Sequence, residues 1–114
     1  MQRDARKLLF DVQEALASAL RFVRGKDFAF YLDDELVRAS VVRKLEIAGE
    51  ALSRLRRLDP ELASRISEVS AIIGFRNVLV HGYDDIDNLL VWRTVETRVP
   101  GLIEEIGLLI EDSD

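Results

Sequence analysis

The chain has 114 residues, 48% hydrophobic and 32% charged, with a formal net charge of −5. That length holds one domain with a core of its own. The lack of cysteine excludes disulfides and thiolate metal sites, and no apolar run approaches the ~20 residues that span a bilayer. The first residues run straight into helical pattern with no signal-peptide h-region, so a cytoplasmic protein is expected. An acidic total argues against non-specific nucleic-acid binding, which draws its affinity from phosphate neutralisation. The distribution softens that objection: Arg54, Arg56, Arg57 and Arg65 lie close together, while the acidic residues crowd the last third.

In chain order, residues 5–24 place Leu9, Val12, Leu16, Ala19, Leu20 and Val23 in steps of three and four, which predicts an amphipathic helix. Asp4 is its expected N-cap and Gly25 its stop. Lys26 to Leu32 is an aromatic-rich connector, read as a hydrophobic plug over one bundle end. Asp33 or Asp34 caps a long helix to about Leu58, with the stripe Val37, Val41, Leu45, Ala48, Leu52 and Leu55. Gly49 interrupts that helix, where another backbone is expected to approach closely. Glu46 and Glu50 lie one turn apart beside it. They read either as a charged face with local ion pairs, or as one glutamate turned inward to hold an arginine from another helix. Asp59-Pro60 is a cap followed by proline at the first helical position, with a short helix to about Arg65. Ser67-Glu68 is expected to open a further helix ending at His81-Gly82. Asp87 caps the last segment, whose stripe is Trp92, Val95, Val99, Leu102, Ile106 and Leu109. Pro100 predicts a kink, or two helices meeting near Val99. The expected architecture is a single all-α domain, residues 1–114, an antiparallel bundle of four to five helices with apolar face left for a homodimer.

The stretch Gly74-Phe75-Arg76-Asn77-Val78-Leu79-Val80-His81-Gly82-Tyr83 departs from ordinary bundle sequence. It holds the single histidine of the chain and sets an arginine in an apolar run. An arginine at a core-facing position keeps its charge, so it must be paired or open onto a cleft. Asn77 and His81 are four apart and share a face. Arg76 and His81 are five apart, about 140° round the helix, and flank one edge of it. Two copies of that edge across a two-fold axis bring together two histidines and two arginines. Metal-independent RNA cleavage needs such a set: a base, an acid and a cation for the phosphorane. Histidine suits both proton roles. The residues alone leave other readings open, since a histidine at a helix C-terminus also complements the dipole and Tyr83 also reads as packing. One histidine without clustered ligands gives no metal site, and no cofactor is expected.

Arg76-Asn77-x-x-x-His81-Gly82-Tyr83 resembles the R-polar-x-x-x-H motif of the HEPN superfamily, and more narrowly the HepT-like proteins, which add the tyrosine. Leu45-Glu46-Ile47-Ala48-Gly49-Glu50-Ala51, Val91-Trp92 and Val99-Pro100 agree with it. The resemblance implies an all-helical homodimer with the motif helix near the two-fold axis. It implies the toxin of a toxin–antitoxin pair, an endoribonuclease acting on tRNA or mRNA through Arg76 and His81, with Asn77 and Glu50 in support. It further implies a nucleotidyltransferase partner of the MntA type that transfers AMP to Tyr83 and neutralises the toxin. The acidic loop Asp84-Asp85-Ile86-Asp87 disfavours RNA phosphates beside that site. The competing expectation is a non-catalytic helical module that binds a nucleotide or the partner enzyme.

Overall fold

The computed structural model describes residues 1–74 and 86–112, and every regular element among them is helical. α1 spans Arg3–Val23, α2 Phe28–Asp33, α3 Glu35–Leu58 and α4 Pro60–Ser64. α5 begins at residue 69 and is described to residue 74; α6 spans Asn88–Thr97 and α7 Val99–Asp112. The all-α class is as expected. The helices number seven among the described residues, and not four to five, because the aromatic connector is itself a helix and the last segment is split in two.

α1 packs along α3 and also against α7. Leu9, Val12, Leu16 and Ala19 of α1 are fully buried, as are Val41, Ala48, Leu52 and Leu55 of α3; Val37 is only partly buried. The two expected stripes therefore meet in one core. α7 comes close enough to α1 that a Cβ at Gly107 would stand 3.1 Å from Nε2 of Gln13, and that amide reaches the Ile103 carbonyl at 3.4 Å. A side chain at Gly107 would push Gln13 away from its acceptor. At the start of α1 the expectation needs correcting. Asp4 lies inside the first turn and the capping position is Gln2, which makes no side-chain cap; the Asp4 charge still faces the positive end of the helix dipole. Gly25 ends α1 with φ of 74°, a conformation that costs glycine nothing.

The connector becomes α2 because Asp27 accepts the Phe30 backbone N–H at 2.9 Å and caps a turn. The turn inserts Tyr31, which is fully buried. Its ring centroid lies 6.4 Å from Phe28 and 5.6 Å from Trp92 of α6. Arg38 donates to the Leu32 carbonyl at the C-terminus of α2, while Asp34 caps α3 through the Val37 N–H at 3.0 Å. Asp59 caps α4 through Leu62 N–H at 3.0 Å, with Pro60 in the first turn. The break before Pro100 falls where expected. Arg98 closes α6 and α7 starts at Val99, after which Leu102, Ile106 and Ile110 carry the buried stripe, with Leu109 partly buried beside it.

The Tyr31 hydroxyl is buried without a hydrogen-bond partner among the described residues. Burial pushes its pKa up from 10.0 to about 12, the Arg38 charge offsetting part of the rise. The raised value means the folded state holds the proton more tightly than the unfolded chain does. That stability is present in full below pH 10 and is lost as pH rises from 10 toward 12. Urea unfolding of Tyr31→Phe should show no loss at pH 7, or a gain of up to ~1 kcal/mol, because an unmet buried donor is removed. Between pH 10 and 12 the variant should lose less stability than the parent chain.

Candidate functional site

Arg76, Asn77, His81 and Tyr83 lie outside the described residues. The structure defines the frame on either side of them, and Glu50. On the N-terminal side the chain leaves α4 through a tight turn in which Ile66 is buried. The Ser67 backbone N–H then donates to Oε1 of Glu105 on α7 at 2.6 Å. Glu68 has φ of 61°, a left-handed conformation that costs a non-glycine residue roughly 1–2 kcal/mol. Its carboxylate pairs with Arg98 at the α6–α7 junction. Its carbonyl accepts the Ile72 N–H at 3.0 Å. Ser67-Glu68 thus does not open α5 as regular helix; the helix starts at residue 69, behind a left-handed residue held from α6 and α7. Within the described part of α5, Ile72 and Ile73 are buried while Ser70 and Gly74 are exposed. The described turn and a half of α5 thus has an apolar face and a small, polar one.

On the C-terminal side Ile86 packs against the core. Asp87 accepts the Leu90 N–H at 3.0 Å and caps α6 as predicted. One carboxylate of the acidic loop is therefore engaged by a backbone donor and by the helix dipole. Ile86 and Asn88 line a groove of ≈ 440 Å³ whose other wall is α3, with Arg38, Val42, Arg43 and Glu46.

Both flanks of the motif thus stand against α3. Nη1 of Arg56 donates to the Ser70 hydroxyl at 3.3 Å, and Ile86 and Asn88 face the Glu35–Glu46 stretch. Glu50 lies between these two points, about 9 Å along the axis from Arg56 at the helical rise. It is 3.4 Å from Arg54, one turn on, and its side chain is 42% exposed. Glu46 is 3.4 Å from Arg43. Both glutamates make an ion pair within α3, as the simpler reading expected. Exposed pairs of this kind contribute roughly 0.3–0.5 kcal/mol each. Glu50 also lines a groove of ≈ 550 Å³ between α1 and α3, with Leu8, Asp11 and Glu14 on the α1 side and Arg43 and Arg54 on its own. Of the basic cluster, Arg57 donates to the Ser53 hydroxyl at 2.8 Å. Arg98 and Glu105, the partners of Glu68 and Ser67, were not singled out in the sequence. Their separations of 30 and 38 residues leave no local signal.

Among the described residues no three carboxylates gather as metal ligands would, and no helix is long and apolar enough to cross a membrane.

A small all-helical bundle, with an R-N-x-x-x-H-G-Y segment whose two flanks stand against one long helix, is the class that fold and sequence define. The family model described as "Ribonuclease HepT-like" matches residues 12–109, a span that includes the whole motif. The chain belongs to that family. It is 29% identical to a "Putative RNase" of Methanocaldococcus jannaschii over 95% of this chain and 98% of that one. It is 32% identical to a "Probable ribonuclease HepT" of Thermococcus cleftensis over 90% of this chain and 92% of that one. A second "Putative RNase" of M. jannaschii is 27% identical over 97% and 91% of the two chains. No solved structure matches the chain.

Asp87 caps the first described helix after the motif, so its cap is directly testable. Asp87→Ala should cost about 1 kcal/mol of stability by urea denaturation, and Asp87→Asn much less, because asparagine also accepts the N–H. Equal losses in the two variants would show that the hydrogen bond is not what Asp87 contributes.

Proposed function

We propose that this protein is the endoribonuclease toxin of a toxin–antitoxin pair, cleaving RNA without metal at a composite site formed by two copies of the chain. The observation that carries the reading is the match to the ribonuclease family across residues 12–109, with Arg76, Asn77 and His81 at the positions that the motif gives to the nuclease residues. One copy of His81 removes the proton from the ribose 2′-hydroxyl. The other protonates the departing 5′-oxygen, and Arg76 stabilises the charge on the phosphorane. Asn77 orients His81 from one turn away, and Glu50 supports the site from α3. The second copy supplies the second imidazole, since each chain brings a single histidine. Tyr83 accepts AMP from an MntA-type nucleotidyltransferase. A nucleotide two residues from His81 adds bulk and negative charge where the RNA phosphate must enter, which accounts for neutralisation.

The net charge of −5 favours one other reading, a module that binds a nucleotide or the partner enzyme without cleaving. Incubation of the purified protein with tRNA and mRNA in chelator separates the two. Cleavage leaving 2′,3′-cyclic phosphate ends is expected. His81→Ala and Arg76→Ala should each lower it by at least ~10²-fold, within the range general acid–base catalysis supplies, while the fold by circular dichroism is kept. Cleavage that persists in His81→Ala would remove the histidine from the mechanism. For the modification, coexpression with the neighbouring nucleotidyltransferase should add the mass of AMP, and Tyr83→Phe should abolish that shift. A shift that survives the substitution places the acceptor elsewhere.

A further inference from the structure

The α4–α5 turn holds three features that the motif itself does not contain. A non-glycine residue, Glu68, occupies a left-handed conformation one position before the helix that leads into the motif. Its carboxylate does not cap that helix; it reaches 30 residues along the chain to Arg98. The preceding backbone donor, Ser67 N–H, is met by a carboxylate 38 residues away, Glu105. Both partners come from the junction where the chain breaks before Pro100: Arg98 closes α6, and Glu105 lies in the second turn of α7. The start of α5 is thus held by two charge-assisted bonds from outside, where most helices are held by a residue of their own.

We propose that Glu68, Arg98 and Glu105 are positioning residues. They fix the rotation and axial position at which α5 begins, and through it the placement of Arg76 and His81 against the second copy of the chain. The physical reason is leverage. A helix is stiff along its axis, and a change in its first turn is carried to residues further along. Arg76 follows the described end of α5 by two residues, and active-site geometry tolerates about 0.5 Å of error. A left-handed residue at the start permits more than one entry angle for the helix. The Arg98 guanidinium selects one of them through the Glu68 carboxylate, and Glu105 holds the peptide just before it. The pairs are half exposed, at 49% for Arg98 and 39% for Glu68. Their contribution to global stability is therefore small, and their effect lies in geometry. The catalytic consequence rests on the ribonuclease reading above; the structural one does not.

The test uses charge reversal in the full-length protein. Arg98→Glu and Glu68→Arg are made singly and together. Amide hydrogen exchange is followed across residues 69–74, and kcat and KM for RNA cleavage are measured beside it. Each single reversal should raise exchange in that segment by about tenfold and lower kcat by at least as much, with KM little changed, and the double reversal should restore both to within about threefold. Glu105→Gln, which keeps an oxygen acceptor, should hold exchange near the parent level, whereas Glu105→Ala should not. Where a reversal does not fold, Arg98→Lys against Arg98→Ala gives the same comparison. Unchanged exchange in the single variants overturns the clamp, whatever the activity shows. Altered exchange with unaltered kcat overturns the positioning role. If the parent protein cleaves no RNA, the nuclease reading fails by itself, and the exchange measurements still decide the clamp.

Discussion

The packing of α1 along α3 is the interaction on which the other elements depend. Each helix presents a continuous stripe of fully buried leucine, valine and alanine to the other, and burial of each such large side chain contributes roughly 1.5–3 kcal/mol. The remaining pieces are short or attached. α4 packs on α3, α7 on α1, and α6 bridges α2, α7 and α1. Because α3 belongs to the most heavily buried pair, it serves as the fixed reference for what is hung on it. Arg56 holds Ser70 at one point, and the groove facing Ile86 and Asn88 lies further toward its N-terminus. The two flanks of the motif are thus registered on one stiff rod. A site is held to its geometry by the elements that carry it, and a rigid frame on both flanks serves that need.

The electrostatics follow the same economy. An acidic protein proposed to handle RNA would gain from placing its carboxylates where they already have partners. Asp27, Asp34, Asp59 and Asp87 each accept a backbone N–H at a helix start, and Glu46 and Glu50 are paired with arginines on their own helix. A capping carboxylate sits in the positive field of the helix terminus, which reduces the potential it projects outward. The −5 total therefore overstates the repulsion an RNA phosphate meets near the motif, at least from Asp87. The same pairing neutralises Arg43 and Arg54, so the α1–α3 groove is of mixed sign and not a basic track.

Much of the fold was legible because its signals are local. The α1 and α3 stripes, the Asp34, Asp59 and Asp87 caps, the stop at Gly25 and the break before Pro100 each depend on residues within a turn or two of one another. The misses have physical causes too. Lys26 to Leu32 does pack an aromatic into the core, but its helix was not foreseen, because one turn is too short to show a period; the turn forms where Asp27 caps it and Tyr31 packs between Phe28 and Trp92. Asp4 has the right chemistry for a cap, but Gln2 and Arg3 extend the helix past it. Ser67-Glu68 has the composition of a helix start, yet the backbone there answers to Arg98 and Glu105, whose contact the sequence does not announce. For the site, Glu50 could be placed beside Gly49 on α3 from spacing alone. Arg76, Asn77, His81 and Tyr83 were recognised through their motif and not through a geometry.

The left-handed Glu68 shows what the family motif leaves undetermined. Glycine would adopt that conformation without steric cost, and its presence would be unremarkable at a turn before a helix. It would also remove the carboxylate that reaches Arg98 and add conformational freedom to the unfolded chain, so the entry angle of α5 would be set by Ser67 alone. Asparagine, the usual alternative in this region of backbone space, has a side chain one methylene shorter and no charge to offer the guanidinium. A glutamate therefore accepts backbone strain in exchange for a long-range contact. The contact it makes is to the α6–α7 junction, which exists because Pro100 forbids one continuous helix. Proline, left-handed backbone and ion pair are one arrangement: the break creates the anchor, and the anchor makes the strained start of α5 tolerable.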